Sequence, residues 1–552
     1  MYPLASRFSL SLLIAAALTA CGGGGSSTSP VVGSPAPPPP PPAGFTFTLD
    51  TGKAVVQQGQ QASVAVSVQR DAGFTDAIQF SADGLPTGAS TATLSVPAGS
   101  NTGTLTLQAA VNAPHSLPTA VTVKGASGAA NASQALTVTV RGAAGDIDTS
   151  FGGGTLVTPG GITDDFVRGL AVQADGKALV AGFGVFSTAT GTDFMLVRHL
   201  RDGGLDTSFG TGGKVSTAFN NGGRSDEALA VAVQPDGKIL VAGTSDQGAT
   251  GYDFALARYN ADGTLDTSFG SGGRVTTSFG NDADTAYAVL LQPDGKIVLG
   301  GDSSQGASGV DFALARYNAD GSLDASFGNG GKVLTAIGDD GARESIYALA
   351  LQTVAGVTRI VAVGGEGDFI AAAYRSDGTL DTGFGTAGTV HGVFGSVIGA
   401  ARGVVVTSDG KLVLAGHRDH DFAAVRLLPN GSLDASFGSG GRSVIAVSAD
   451  NWDEATALVQ QADGRLLLGG WVYTGNSSSA DTVLLRLNTD GSPDAAFGPG
   501  GIRRTAVAAG GKTDSGYALA LQPDTRVPTV RVLQAGEASG SDLDIVLMRH
   551  WL

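Results

Sequence analysis

One short segment has the residue types of a metal or acid–base site: His417-Arg-Asp-His420-Asp421. Imidazole and carboxylate ligands together suit zinc or manganese, with His417, Asp419 and His420 as the ligands. Arg418 argues against it, because a fixed cation opposes a bound one. The segment is therefore expected to be an exposed polar turn. A second pattern, Asn260-Ala-Asp-Gly-Thr-Leu-Asp266, places oxygens at alternate positions around a Gly, as calcium loops do. Arg258 stands two positions before Asn260, where a carboxylate would be needed. Leu200 and Leu428 replace the Asn in two other copies. These Asn-x-Asp-Gly segments are expected to be hydrogen-bonded turns. Gly-Gly-Lys triplets such as Gly212-Gly-Lys214 open strands, whereas phosphate sites use helix N-termini. The chain has no Gly-x-Ser-x-Gly, His-Glu-x-x-His or Gly-x-x-x-x-Gly-Lys motif. No catalytic, metal-binding or cofactor-binding residue is assigned.

The elements that would position such residues differ along the chain. Residues 1–20 carry Arg7 and an apolar stretch from Leu10 to Leu18, the length of a secretory signal core and too short to span a bilayer. The stretch ends in Leu18-Thr-Ala-Cys21, which resembles the bacterial lipobox. That resemblance implies a signal peptide over 1–20, lipid attachment at Cys21 and a membrane partner. Gly22, rather than Asp, implies the outer membrane of the cell envelope. The alternative is an ordinary signal peptide with a cysteine near its cleavage site. Cys21 is the only cysteine, so no intramolecular disulfide forms. Residues 21–44 read as a tether, Gly/Ser-rich coil followed by a stiff six-proline run, Pro37–Pro42.

Residues 45–141 alternate apolar and polar side chains, as in Ala62-Ser-Val-Ala-Val-Ser-Val68 and Ala135-Leu-Thr-Val-Thr-Val140. Turn signals fall between these runs. About seven short strands would make a β-sandwich. Gly59-Gln-Gln-Ala-Ser-Val, Gly84-Leu-Pro-Thr-Gly88 and Gly103-Thr-Leu-Thr-Leu resemble bacterial immunoglobulin-like modules, which implies a spacer or adhesion role. His115 shows no evident partner in the sequence.

Residues 147–552 repeat. Leu-Asp-x-x-Phe-Gly, with small changes, occurs seven times, with its Asp at 148, 206, 266, 324, 381, 434 and 494. An Asp-Phe-x-Leu-x-Arg element such as Asp253–Arg258 recurs late in each unit. A hairpin signal such as Gln234-Pro-Asp-Gly-Lys-Ile-Leu-Val-Ala-Gly243 lies between them. Each unit reads as four strands, and four-stranded units repeated radially make a β-propeller. The fold class is therefore all-β: a seven-bladed propeller of four-stranded blades behind a small immunoglobulin-like sandwich. Asp and Arg five apart on a strand face opposite ways, so they form no single site. Arg is expected to reach the Leu-Asp carboxylate or carbonyls of an adjacent crossover.

The unit string from Gln234 to Gly243, followed by Asp253-Phe-Ala-Leu-Ala-Arg-Tyr-Asn-Ala-Asp-Gly-Thr-Leu-Asp-Thr-Ser-Phe-Gly270, resembles the delta-60 repeat family of bacterial propellers. The resemblance implies fold, not activity. The units are uneven. In the fourth, Thr353–Arg359 replaces the Asp-Gly hairpin and Ala373 replaces Arg; in the seventh, Pro523–Pro528 interrupts it. Longer, distorted hairpins are expected there. If each unit holds its own four strands, Ile147–Gly152 is an unpaired crossover copy that should dock on the seventh blade.

Lys+Arg 33 against Asp+Glu 49 gives a net charge of -16, which disfavours nucleic-acid binding. The expected function is non-catalytic binding or scaffolding at the envelope, with a protein or glycan ligand. The alternative is an extracytoplasmic polysaccharide hydrolase or lyase acting at a channel mouth.

Overall fold

Alternation in residues 45–141 produces two sheets that share one apolar interior. The strands Phe45–Leu49, Gln61–Arg70, Thr102–Ala109 and Ala89–Thr91 pair in that order. Opposite them lie Lys53–Gln57, Ala130–Arg141, Thr119–Ser127, Ile78–Asp83 and Leu94–Val96. Every second residue points inward, so Val64, Val66, Val121, Val123, Leu136 and Val138 are buried around the edge-to-face pair Phe47 and Phe80. The sandwich thus has nine strands, because Lys53–Gln57 adds in parallel and two three-residue strands complete the edges.

This computed structural model describes residues 44–186, 191–220, 223–280, 282–305, 309–337, 343–395, 398–448, 452–474, 479–507, 514–524, 529–540 and 542–552. The signal peptide, Cys21 and the tether up to residue 43 lie outside the described residues.

Among the described residues, seven four-stranded antiparallel sheets follow the sandwich. Their innermost strands are Asp165–Val172, Asp226–Val233, Asp284–Leu291, Ile346–Val354, Gly399–Val406, Asp453–Gln460 and Asp514–Asp524. Each innermost strand touches the next, and the last touches the first, so the sheets enclose a channel. Second and third strands, such as Ala178–Gly184 and Asp193–His199, are buried along their whole length. Neighbouring sheets cover both faces, which is why these runs are apolar without alternation.

The sheets are out of phase with the sequence unit, a correction to the one-unit-one-blade expectation. The strand after each Gly-Gly pairs backward: Lys214–Thr217 lies against Asp193–His199, and Arg274–Thr277 against Tyr252–Tyr259. The crossover itself causes this. Asp206 N donates to Arg198 O, Gly213 N to Phe209 O and Arg198 N to Gly213 O, so the chain reverses beside the strand it has just left. The first such strand, Thr155–Thr158, has no earlier sheet and pairs with Leu543–Trp551 in the last. Ile147 bridges His550, and Asp148 N donates to Arg549 O at 2.7 Å. The docking of Ile147–Gly152 therefore holds, and the N-terminal segment supplies a whole strand in addition.

The hairpins take two forms. At Pro235-Asp-Gly237 only Gly237 has positive φ, and Gly237 N donates to Gln234 O, so a tight turn is followed by a left-handed Gly rather than two left-handed residues. In the fourth sheet Ala355 and Gly356 both have positive φ and link Val354 directly to Val357. That hairpin is longer but regular. In the seventh, the strands Asp514–Asp524 and Thr529–Ser539 are eleven residues each, and residues 525–528 lie outside the described residues.

Candidate functional site

Each innermost strand carries one bulge at the same place. The skipped residues are Arg168, Leu229, Tyr287, Tyr347, Arg402, Thr456 and Tyr517. A glycine in the second strand sits beside each bulge: Gly182, Gly243, Gly301, Gly364, Gly416, Gly470 and Gly536. A Cβ at any of these would collide with an inner-strand carbonyl oxygen, for instance Glu227 O for Gly243 and Glu454 O for Gly470. The recurring second-strand Gly, which ends Val-Ala-Gly at Gly182 and Gly243, thus lets the two backbones approach at the bulge. Bulges re-aim side chains, and all seven line one cavity of about 390 Å³, joined by Glu454 and Trp471.

The cavity is polar and aromatic together. Arg402 Nε donates to Glu454 Oε1 at 2.9 Å, and its guanidinium lies 3.9 Å from the Tyr347 ring centre. The Tyr347 and Tyr287 rings are 5.1 Å apart. Across the mouth, Arg168 donates to Glu537 at 2.6 Å and lies 4.4 Å from the Tyr517 ring. Burial acts against a charged Glu454, yet His417 and Arg402 outweigh it and hold its carboxyl below the usual range. Burial pushes the Glu537 carboxyl up despite Arg168. Burial also raises the Tyr287, Tyr347 and Tyr517 hydroxyls, so all three stay neutral.

The residues singled out in the sequence go elsewhere. His417 is buried, not exposed, with Nδ1 3.4 Å from Glu454 Oε1. Asp419 and His420 form the left-handed hairpin turn, and the His420 ring lies 4.2 Å from that of Trp452. Among the described residues no group of three His, Cys, Asp or Glu side chains is placed to hold a metal ion. In the Asn-x-Asp-Gly turns, Asp262 Oδ1 accepts from Thr264 N at 2.9 Å and Thr264 Oγ1 at 2.7 Å. That carboxylate closes its own turn.

The recurring Asp and Arg are structural. Arg258 Nε and Lys238 Nζ both lie 2.8 Å from Asp266 Oδ2, and Arg258 also donates to Ala319 O of the next crossover. In the fourth sheet, where Ala373 replaces Arg, Arg359 from the preceding strand reaches Asp381 at 2.7 Å. His115 has partners that its sequence position did not suggest: its Nδ1 accepts from Thr149 N at 3.1 Å and Trp551 Nε1 at 3.3 Å.

The family model described as "Domain of unknown function (DUF5122) beta-propeller" matches residues 173–209, 234–269, 292–327, 407–437 and 461–497. These are β-propeller repeats. The matched stretches omit the two irregular units, and each begins five residues after a bulged residue, so none of the seven bulged residues falls within them, whereas Trp471 does. No curated protein matches the chain. Among solved structures, a DUF4784 family protein from Bacteroides caccae is 10% identical, with 74% of this chain and 96% of that chain covered and a TM-score of 0.24. Surface layer protein SbsC, domains 4–9, is 11% identical over 85% and 82%, with a TM-score of 0.14. The titin domains z1z2 in complex with telethonin are 12% identical over 42% and 93%, with a TM-score of 0.13. Scores this low carry no argument about this chain.

The bulged residues do not stand out in any motif of the sequence. Their signal is a column of varied, often large residues flanked by small ones, as in Ala286-Tyr-Ala288 and Ala401-Arg-Gly403.

Proposed function

We propose that the protein is a cell-envelope lipoprotein, anchored through Cys21 in the outer membrane, whose delta-60-type propeller binds a ligand non-catalytically at the channel mouth. One observation carries the binding reading: a single re-aimed side chain from every sheet, differing in type from sheet to sheet, converges on one cavity. A rigid frame holding varied side chains is the layout of a recognition site. Tyrosine and tryptophan faces beside hydroxyls and a carboxylate suit the apolar faces and hydroxyl edges of a glycan. The tether and sandwich then act as spacers between membrane and mouth.

The test is a pull-down from detergent-solubilised envelope, run with the full chain and with Tyr347→Ala. A glycan or glycan-bearing partner retained by the first and lost by the second supports the reading. Equal retention by both rejects the mouth as the site. Cys21→Ser should move the protein from the detergent phase to the aqueous phase; if it does not, the lipid anchor is wrong.

The alternative, a polysaccharide hydrolase or lyase, draws on Glu454 and Glu537, whose surroundings push their carboxyls in opposite directions, as an acid–base pair requires. It predicts release of reducing ends or unsaturated products by the wild type and not by Glu454→Gln.

A further inference from the structure

We infer that the ligand is an uncharged oligosaccharide longer than the mouth itself, and that it continues outward over a shelf made by Trp471 and Trp452 on the sixth sheet. This deepens the glycan-binding proposal and rests on it.

The chain has three tryptophans. Trp551 is buried beneath the sandwich. The other two stand together: Trp471 lines the channel cavity, and the exposed Trp452, outside that lining, has its ring 6.5 Å from that of Trp471, with ring planes 30° apart. Tyr473 extends the group, 4.9 Å from Trp471. Trp452 is 39% exposed, whereas Trp551 is fully buried.

The shelf is built rather than incidental. Trp452 O accepts from Tyr473 N at 3.0 Å, and Asp453 N donates to His420 O at 2.8 Å. The His420 ring backs Trp452 from the turn at Asp419-His420. Rings held this way lose little freedom when a ligand stacks on them.

The shelf is also local to one sector. Positions equivalent to Trp452, four residues before the bulged residue, hold Asp164, Ser225, Ala283, Arg343 and Ile398 in the first five sheets. Positions paired as Trp471 pairs with Glu454 hold Phe183, Thr244, Asp302 and His417 in four of them. The scaffold therefore does not require tryptophan at either place.

Charge selects the sugar class. The guanidinium groups at the mouth already face carboxylates: Arg402 with Glu454, Arg168 with Glu537 and Arg343, beside Tyr287, with Glu366. Arg418, beside the shelf, lies 3.4 Å from Asp419. These pairs offer donors and acceptors to hydroxyls but no uncompensated positive charge for a uronate, and a chain of net charge -16 repels a polyanion.

The test is calorimetric titration of the detergent-purified full chain with cellohexaose, chitohexaose and hexagalacturonate. At least one uncharged hexamer should bind more tightly than hexagalacturonate. Trp452→Ala should weaken that binding about tenfold or more, and Trp452→Tyr should keep most of it. Trp452→Tyr keeps a ring against His420 and should match wild type in melting temperature, so its binding reports on stacking rather than on fold. Tighter binding of hexagalacturonate, or no binding of any hexamer, overturns the inference. So does uncharged-hexamer binding that is unchanged in Trp452→Ala; if Tyr347→Ala still abolishes it, the mouth proposal stands without the shelf, and if not, both fall.

Discussion

Arg549 Nε lies 2.8 Å from Asp148 Oδ2, across 401 positions of chain. Arg531 Nε reaches the same oxygen at 2.8 Å, and both side chains are buried. Elsewhere in the ring the same arrangement joins residues only eight apart, as in Arg258 and Asp266. The propeller thus closes with its ordinary repeat wiring, taken from the two ends of the repeat region. Thr155–Thr158 covers the outer edge of the last sheet beside it.

Asp148→Ala should therefore differ from the same change within a continuous unit. Removing one partner of a buried ion pair costs about 3–5 kcal/mol, and here two buried guanidinium groups lose their carboxylate. Asp324→Ala, which faces Arg316 and Lys296, should cost a similar amount but leave the ring closed. Only Asp148→Ala should loosen Thr155–Thr158 and bare the edge of Leu543–Trp551, a site for pairing with another chain. Denaturant midpoints measure the first effect, and size-exclusion chromatography the second. Equal oligomerisation of both variants would reject the seam as the weak point.

Arg359 should behave as a displaced repeat residue. It occupies the place left by Ala373, donating to Asp381, to both Gln352 and the carbonyl of Pro429, and stacking 4.8 Å from the Phe384 ring. Arg359→Ala should lower the denaturation midpoint as much as Arg258→Ala does, although only Arg258 stands at the repeat position. Thr358, an exposed neighbour, serves as control, and its replacement by Ala should change stability by about 0.5 kcal/mol or less.

Much of this fold can be read from residue patterns, because the patterns are local. Asp-Gly hairpins, the Leu-Asp-x-x-Phe-Gly crossovers and the alternation of residues 62–68 each fix nearby geometry. The phase of the sheets was not legible, since nothing in Lys214–Thr217 says which neighbour it will pair with; the crossover hydrogen bonds decide that. The channel lining was hidden for a different reason. A bulge breaks the two-residue period, so Tyr287 and Arg402 sit in runs that read as uniformly scaffold. Trp452 and Trp471 belong to different strands, and only sheet pairing brings their rings together. The Ala373 departure was visible, but its replacement by Arg359 depends on contact across strands.

Acidification should favour the folded propeller through a set of buried acids. Burial pushes Asp284 up to about 6, and Glu344 and Asp453 up to about 7, although each accepts backbone N–H groups from the preceding connection. An acid whose folded pKa is raised contributes stability below its unfolded pKa near 4, and loses that contribution as pH rises through the folded value. Buried His199 and His550, both lowered by burial, act in the opposite direction. The comparison is therefore between wild type and variant. Both Asp453 oxygens accept backbone N–H groups, so Asp453→Asn loses hydrogen bonds at every pH, and its melting temperature relative to wild type should be more favourable at pH 7.5 than at pH 5. An equal difference at both values would mean that Asp453 titrates normally.

The junction between sandwich and propeller should depend on a neutral His115. Its Nδ1 accepts from both Thr149 N and Trp551 Nε1, so the nitrogen must be unprotonated, and burial lowers the imidazole pKa in the required direction. Arg141 adds a second link, donating to Leu552 O at 3.1 Å. His115→Ala removes the shared acceptor and the edge-to-face contact with Trp551, and should cost the junction about 0.5–1.5 kcal/mol per hydrogen bond. Each domain keeps its own interior, so the melting of the propeller should hardly move. The readout is the spread of interdomain distances by small-angle scattering at pH 7.5, together with protease cleavage between residues 141 and 147. Both should increase in the variant, and wild type should approach it as the pH falls below about 6.5, the ordinary histidine value. Unchanged scattering and cleavage in His115→Ala would leave Arg141 as the contact that holds the junction.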